Sequence, residues 1–144
     1  MKQTQFILPK IIAVLWIIWG VVHMLAGTMV ITSGTAGSFA AIADAINPDV
    51  FVGDYHPAIG GIINQHGWNL LWFGAVTAIG AVFIWRGSIT AIWVAGMVGG
   101  FADLGYLIFV DLPGFVNVLP GTVMTIIAGS AIALSLVMMR MSKR

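Results

Sequence analysis

Cysteine and glutamate are both missing from this chain of 144 residues. Without cysteine there are no disulfides, no thiolate metal ligands and no thiol nucleophile. Charge is scarce as well. Six Lys or Arg and five Asp make up 8% of the chain, against about 25% in a soluble domain. A chain so poor in charge has too little polar surface to face water. With 60% hydrophobic residues and a mean hydropathy of +1.03, it reads as an all-α integral membrane protein forming one domain over 1–144. The lipid bilayer is its expected partner. Net charge is +1 and no basic stripe exists, so the electrostatic footprint of a nucleic-acid binder is absent.

What is present is long apolar runs. Four segments, roughly 9–32, 57–86, 88–112 and 115–139, are long enough to cross a bilayer as helices, which takes about 20 residues. The first follows MKQTQFILPK and runs too far for a signal-peptide core, so it is expected to be a retained span. Trp85-Arg86-Gly87-Ser88 and Asp111-Leu112-Pro113-Gly114 form tight turns, which leaves 33–56 as the long connection. In this four-span bundle Lys2, Lys10, Arg86, Arg140, Lys143 and Arg144 fall at one side. Asp44, Asp49, Asp54 and Asp111 fall at the other. Basic residues stay cytoplasmic in short loops, so both termini are expected inside, the long loop outside, and the chain in a bacterial inner membrane.

Within that loop SFAAIADAI, residues 38–46, places Phe39, Ile42, Ala43 and Ile46 on one helical face before Asn47-Pro48. The pattern predicts a short interfacial helix; a loop capping the bundle is the alternative. Tyr55-His56-Pro57 then opens the second span, with proline suited to a first helical position.

Three ionisable side chains, His23, His66 and Asp103, fall inside the spans, where such groups are costly and mark candidate sites. At about 1.5 Å rise per residue, His23 stands roughly 20 Å above Lys10 and Asp103 roughly 22 Å above Ser88. The same count from Arg86 puts His66 about 30 Å up, near the outer mouth, while counting inward from Pro57 puts it level with the other two; Trp68 beside it reads as an interface anchor and favours the first. Faces matter too. Gly96, Gly99, Asp103 and Tyr106 make one stripe, Trp16, Gly20, His23 and Gly27 another, and His66 and Asn69 lie one turn apart with Gln65 alongside. Turning these stripes inward pairs His23 with Asp103, puts Tyr106 within reach as a donor, and sets His66, Asn69 and Gln65 above. The other aromatics read as belts and packing. Asn117 and Thr122, near Pro120-Gly121, either line the same cavity or satisfy freed backbone groups. Exposed small-residue faces predict a homo-oligomer or a larger membrane complex.

The chemistry this set permits is narrow. Two imidazoles and a carboxylate suit zinc, iron or copper, but no close spacing such as H-E-x-x-H exists and the depths differ, so no metal ligands are assigned. Haem between His23 and His66 meets the same mismatch, with no basic side chain outside for its propionates. The cofactor stays unassigned. An Asp/His pair does suit a proton or cation pathway. Below it, however, only Thr77, Thr90, Ser130 and Ser135 are polar, and a route that ends halfway describes a pocket. The expected function is binding of a small ligand, lipid headgroup, cation or proton from the outer side, with its movement as an option beyond binding. A non-catalytic accessory subunit and a membrane-embedded enzyme using His/Asp acid–base chemistry are the alternatives. In size and helix count the chain resembles DoxX-like proteins and small multidrug transporters. The latter use a glutamate in the first span, which is absent here.

Overall fold

A computed structural model of the chain describes residues 4–42 and 47–142. Among these residues it is all-helical, with no strand. The α-helices among them are α1 (Thr4–Thr32), α2 (Thr35–Ile42), α3 (Pro57–Trp85), α4 (Ile89–Tyr106) and α5 (Val123–Ser142), with a short 3-10 turn at Pro48–Phe51. Four stretches, Ile7–Thr32, Pro57–Trp85, Ile89–Asp111 and Val118–Met141, are long and apolar enough to cross a membrane. Leu25, Ile79, Phe101 and Ile126 are each at least 60% exposed on the outside of the bundle. A surface of that kind belongs in hydrocarbon.

Local chemistry sets the helix ends. Pro57 begins α3, and His56 Nδ1 accepts from the Ala58 amide at 3.2 Å. At its far end Gly87 adopts φ +85. The Gly87 amide then donates to the Ile84 carbonyl at 2.8 Å, and Ser88 to Phe83 at 3.0 Å. This is the Schellman arrangement, which needs a left-handed residue and so favours glycine. Ser88 also caps α4, its Oγ accepting from the Ala91 amide. Beyond Tyr106, α4 widens into a π turn over Leu107–Asp111, where the Leu112 amide donates to the Leu107 carbonyl at 2.9 Å.

The last span starts later than its hydropathy suggests. Phe115–Asn117 is non-helical, and Leu119 is extended (φ −104, ψ 139). The residue before a proline is driven out of the helical region, so Pro120 holds the break and regular helix resumes at Val123.

The long helices pack antiparallel in sequence. Gly20 meets Gly74 and Gly27 meets Gly67 across α1 and α3. Lys10 Nζ lies 5.5 Å over the Trp85 ring at one end of that pair. α1 packs on α3 and α5, and α4 packs on the same two helices. α1 and α4 therefore occupy opposite corners of a four-cornered bundle, and only long side chains span its diagonal.

The connection after α1 is partly helical, but α2 begins at Thr35, three residues before the expected start. Ser38 initiates nothing; it is buried, and its Oγ donates to the Val30 carbonyl at 2.7 Å, tying α2 back to α1. Phe39 stacks on Phe51 (5.1 Å, 8°) and tilts against Tyr55. Asp44, Ala43 and Ile46, like Lys2, Lys143 and Arg144, lie outside the described residues. The glycines on which the expected oligomer rests are mostly used internally. Gly20, Gly27, Gly67 and Gly74 close the α1–α3 contact, Gly99 faces Trp16, and Gly96 and Gly100 face Ile132.

Candidate functional site

Two tryptophans of α1 cross the diagonal. Trp16 and Trp19 are both fully buried and meet edge to face at 5.9 Å. The Trp16 ring occupies the space a Cβ on Gly99 would need. Trp19 reaches one turn further along α4, and its Nε1–H donates to Asp103 Oδ2 at 2.6 Å. Asp103 itself is only 5% exposed. This short bond supplies the donor that makes the acid tolerable here.

His23 stands one turn above Trp19 on the same face of α1. Its ring stacks on the indole (3.6 Å between centroids, 19°). Its Nδ1–H donates to the Trp19 carbonyl at 2.9 Å. Nε2 is thereby aimed at Asp103 Oδ1, 3.8 Å away. The expected His23–Asp103 pair thus exists as an approach, while the direct hydrogen bond belongs to Trp19. The reason is the diagonal: an imidazole is too short to close it, and an indole is not. Sequence alone assigns Trp19 to packing. The signal that it is more is its place one turn before His23 on the stripe carrying Trp16 and Gly20.

A cavity of about 300 Å³ lies beside this cluster, and its wall includes His23, His66, Asp103 and Tyr106 together. The α1–α3 register sets the levels. Gly27 faces Gly67, so His66 stands level with Thr28, about five residues or roughly 7 Å above His23. His66 therefore sits in the part of the wall nearer α2, with His23 and Asp103 below it. Ala41 and Ile42 of α2 line the wall from that same end, and Leu70, Phe73, Val110 and Met124 make its sides apolar.

Tyr106 also lines the cavity, with its hydroxyl against Gly121, where any Cβ would overlap it. Gln65 and Asn69 are not in the wall. Gln65 is exposed on α3, and Asn69 Oδ1 accepts from Trp72 Nε1–H at 3.1 Å. Thr122 Oγ1 donates to Asp111 Oδ1 at 2.8 Å, tying the π turn after α4 to the broken start of the last span. Nearer the basic helix ends, Thr77 donates to the Phe73 and Gly74 carbonyls and Ser135 to Ala131, so both are spent within their own helices. Among the described residues no three His, Cys, Asp or Glu side chains converge as metal ligands.

No family model, curated protein or solved structure matches this chain. The chemistry open to the site is set by its own atoms. They supply a carboxylate and an imidazole side by side, oriented by one indole, in the wall of an otherwise apolar chamber. Such a floor can accept hydrogen bonds, hold or exchange a proton, and bind a cation.

Proposed function

We propose that this chain is a four-span protein of a bacterial inner membrane that binds a small ligand in a pocket reached from outside. Both termini lie in the cytoplasm and 33–56 lies outside. Lys10, Arg86 and Arg140 stand at one end of the long helices and Asp49, Asp54 and Asp111 at the other, and basic ends stay inside. Ala41, Ile42 and Val110 bring the cavity wall to the acidic end of the bundle, which supports a ligand that arrives from the outer side.

The observation that carries this reading is a nearly buried carboxylate lining a cavity of about 300 Å³. A polar side chain with only a structural role is surrounded by close packing, as the buried Thr77 and Ser135 are. Protein interiors leave few voids larger than a water, and chambers near this size with a few convergent polar groups are the usual form of a ligand site. The apolar sides and polar floor suit a compact molecule with one hydrogen-bonding end.

The absence of cysteine makes the test simple. Val110→Cys, in the cavity wall, is expected to react with a membrane-impermeant maleimide applied to right-side-out vesicles and not to inside-out ones. Reaction only from the cytoplasmic face, or only after denaturation, would remove the outward pocket.

A further inference from the structure

The chemical class of the ligand follows from which atoms at the cavity floor still have bonding capacity; this step rests on the binding reading above and specifies what is bound. The Trp19 carbonyl can only accept, so the nitrogen 2.9 Å from it, His23 Nδ1, carries a hydrogen. In the neutral ring Nε2 then presents a lone pair. It faces Asp103 Oδ1 across 3.8 Å, while Oδ2 is occupied by the Trp19 indole. Two acceptors thus look at each other beyond direct hydrogen-bond reach. Trp19 fixes both, stacking on one and bonding the other.

An arrangement of two acceptors carrying one negative charge calls for a donor with positive charge. The surrounding elements do not supply a fixed one. α1 contributes only His23, α3 only His66, and α4 Tyr106 with Asp111 close by. Among the described residues, α2 and α5 place no titratable side chain in the wall, and Lys10, Arg86 and Arg140 lie at the far end. The missing charge must be mobile: a proton, or a ligand bearing N–H bonds and a positive charge. The remaining wall, with Leu70, Phe73 and Met124, is apolar, and about 300 Å³ is the small end of ligand pockets.

We propose that the pocket binds a small protonated primary amine with an apolar body, and that it does so in exchange for one proton. Before binding, one proton resides on either His23 Nε2 or Asp103 Oδ1, and the floor is neutral. The ammonium arrives as R–NH3+, donates one N–H to Nε2 and another to Oδ1, and the displaced proton leaves to water. The floor is neutral again, so the exchange leaves no uncompensated charge in the membrane interior, where one is costly.

The test uses the full chain in lipid nanodiscs and three probes with one body: 2-phenylethylamine, 2-phenylethanol and trimethyl(2-phenylethyl)ammonium. Calorimetry in two buffers of different ionisation enthalpy counts the protons. The amine is expected to bind about tenfold to a hundredfold tighter than the alcohol. It should release one proton, and its apparent affinity should fall about tenfold for each unit of acidification below the titration of the pair. The trimethylammonium, with charge but no N–H, should bind weakly. Asp103→Asn should erase the preference for amine over alcohol, and His23→Gln, which leaves Asp103 to hold the proton, should bind amine more weakly while still releasing one proton. Equal binding of the alcohol or the trimethylammonium overturns the proposal, as does amine binding with no proton released at any pH from about 5 to 8. If no probe binds while the Val110→Cys variant is labelled from outside, the amine assignment fails and the pocket stands. If the Val110→Cys thiol is unreachable, the pocket itself fails.

Discussion

Gly27→Leu is expected to prevent α1 and α3 from closing, and to lower the stability of the purified chain by more than the roughly 1–3 kcal/mol of ordinary core overpacking. A Cβ at Gly27 would fall 2.6 Å from the Leu71 amide nitrogen, and one at Gly20 would fall 2.6 Å from the Gly74 carbonyl and 2.9 Å from the Ala78 nitrogen. These neighbours are backbone, so relief requires moving a helix and not a side chain. In a membrane, helix association depends on close packing because lipid is as apolar as the side chains. Separating the two helices therefore forfeits most of what joins them. It would also dislodge the platform that holds Trp19 and His23. Gly129→Ala is the contrast: nothing lies within 4 Å of its Cβ position, so the better helix former should add up to about 1 kcal/mol. Thermal melts in mild detergent, followed by near-ultraviolet circular dichroism, separate the two. A Gly27→Leu variant that melts with the parent would refute the α1–α3 contact.

The second large effect belongs to the bond across the diagonal. Trp19→Phe leaves Asp103 nearly buried without its short donor. The expected loss is about 3 kcal/mol, combining a hydrogen bond to a charged group with the space left by the smaller ring. Asp103→Leu alone should cost less, since it strands only an indole N–H. The double variant Trp19→Phe/Asp103→Leu should recover most of the stability lost by Trp19→Phe, because replacing both partners leaves no unmet polar group. Equilibrium unfolding of the four proteins gives the coupling directly. Simple addition of the two losses would mean that the side chains do not depend on each other.

Much of the architecture is legible in the sequence because hydrocarbon length alone encodes it. The second span, expected at 57–86, is helical over Pro57–Trp85, and its ends carry a proline and a glycine whose roles are local. The fourth span is harder to read. Its hydropathy continues through 115–122, while Pro120 imposes an extended Leu119 that composition does not register. The candidate site shows the same division. Helical spacing places His23, Asp103 and Tyr106 on inward faces, and rise per residue sets His66 above them. Spacing says nothing about which helix stands opposite, so it pairs an imidazole with an acid across a diagonal that only an indole closes. Nor does it foresee that Asn69 turns to Trp72 on its own helix, or that Thr122 meets Asp111 eleven residues back across the turn.

The claim beneath both the pocket and its ligand is that the Trp19 indole donates to the Asp103 carboxylate. Nitrogen-15 indole NMR of the chain in detergent or nanodiscs reports that bond through a single resonance, assigned by its loss in Trp19→Phe. The signal is expected far downfield of the other indoles, moving upfield in Asp103→Asn and staying in place in Asp111→Asn. A Trp19 resonance at the position of an exposed indole such as Trp68, unmoved by Asp103→Asn, would contradict the account.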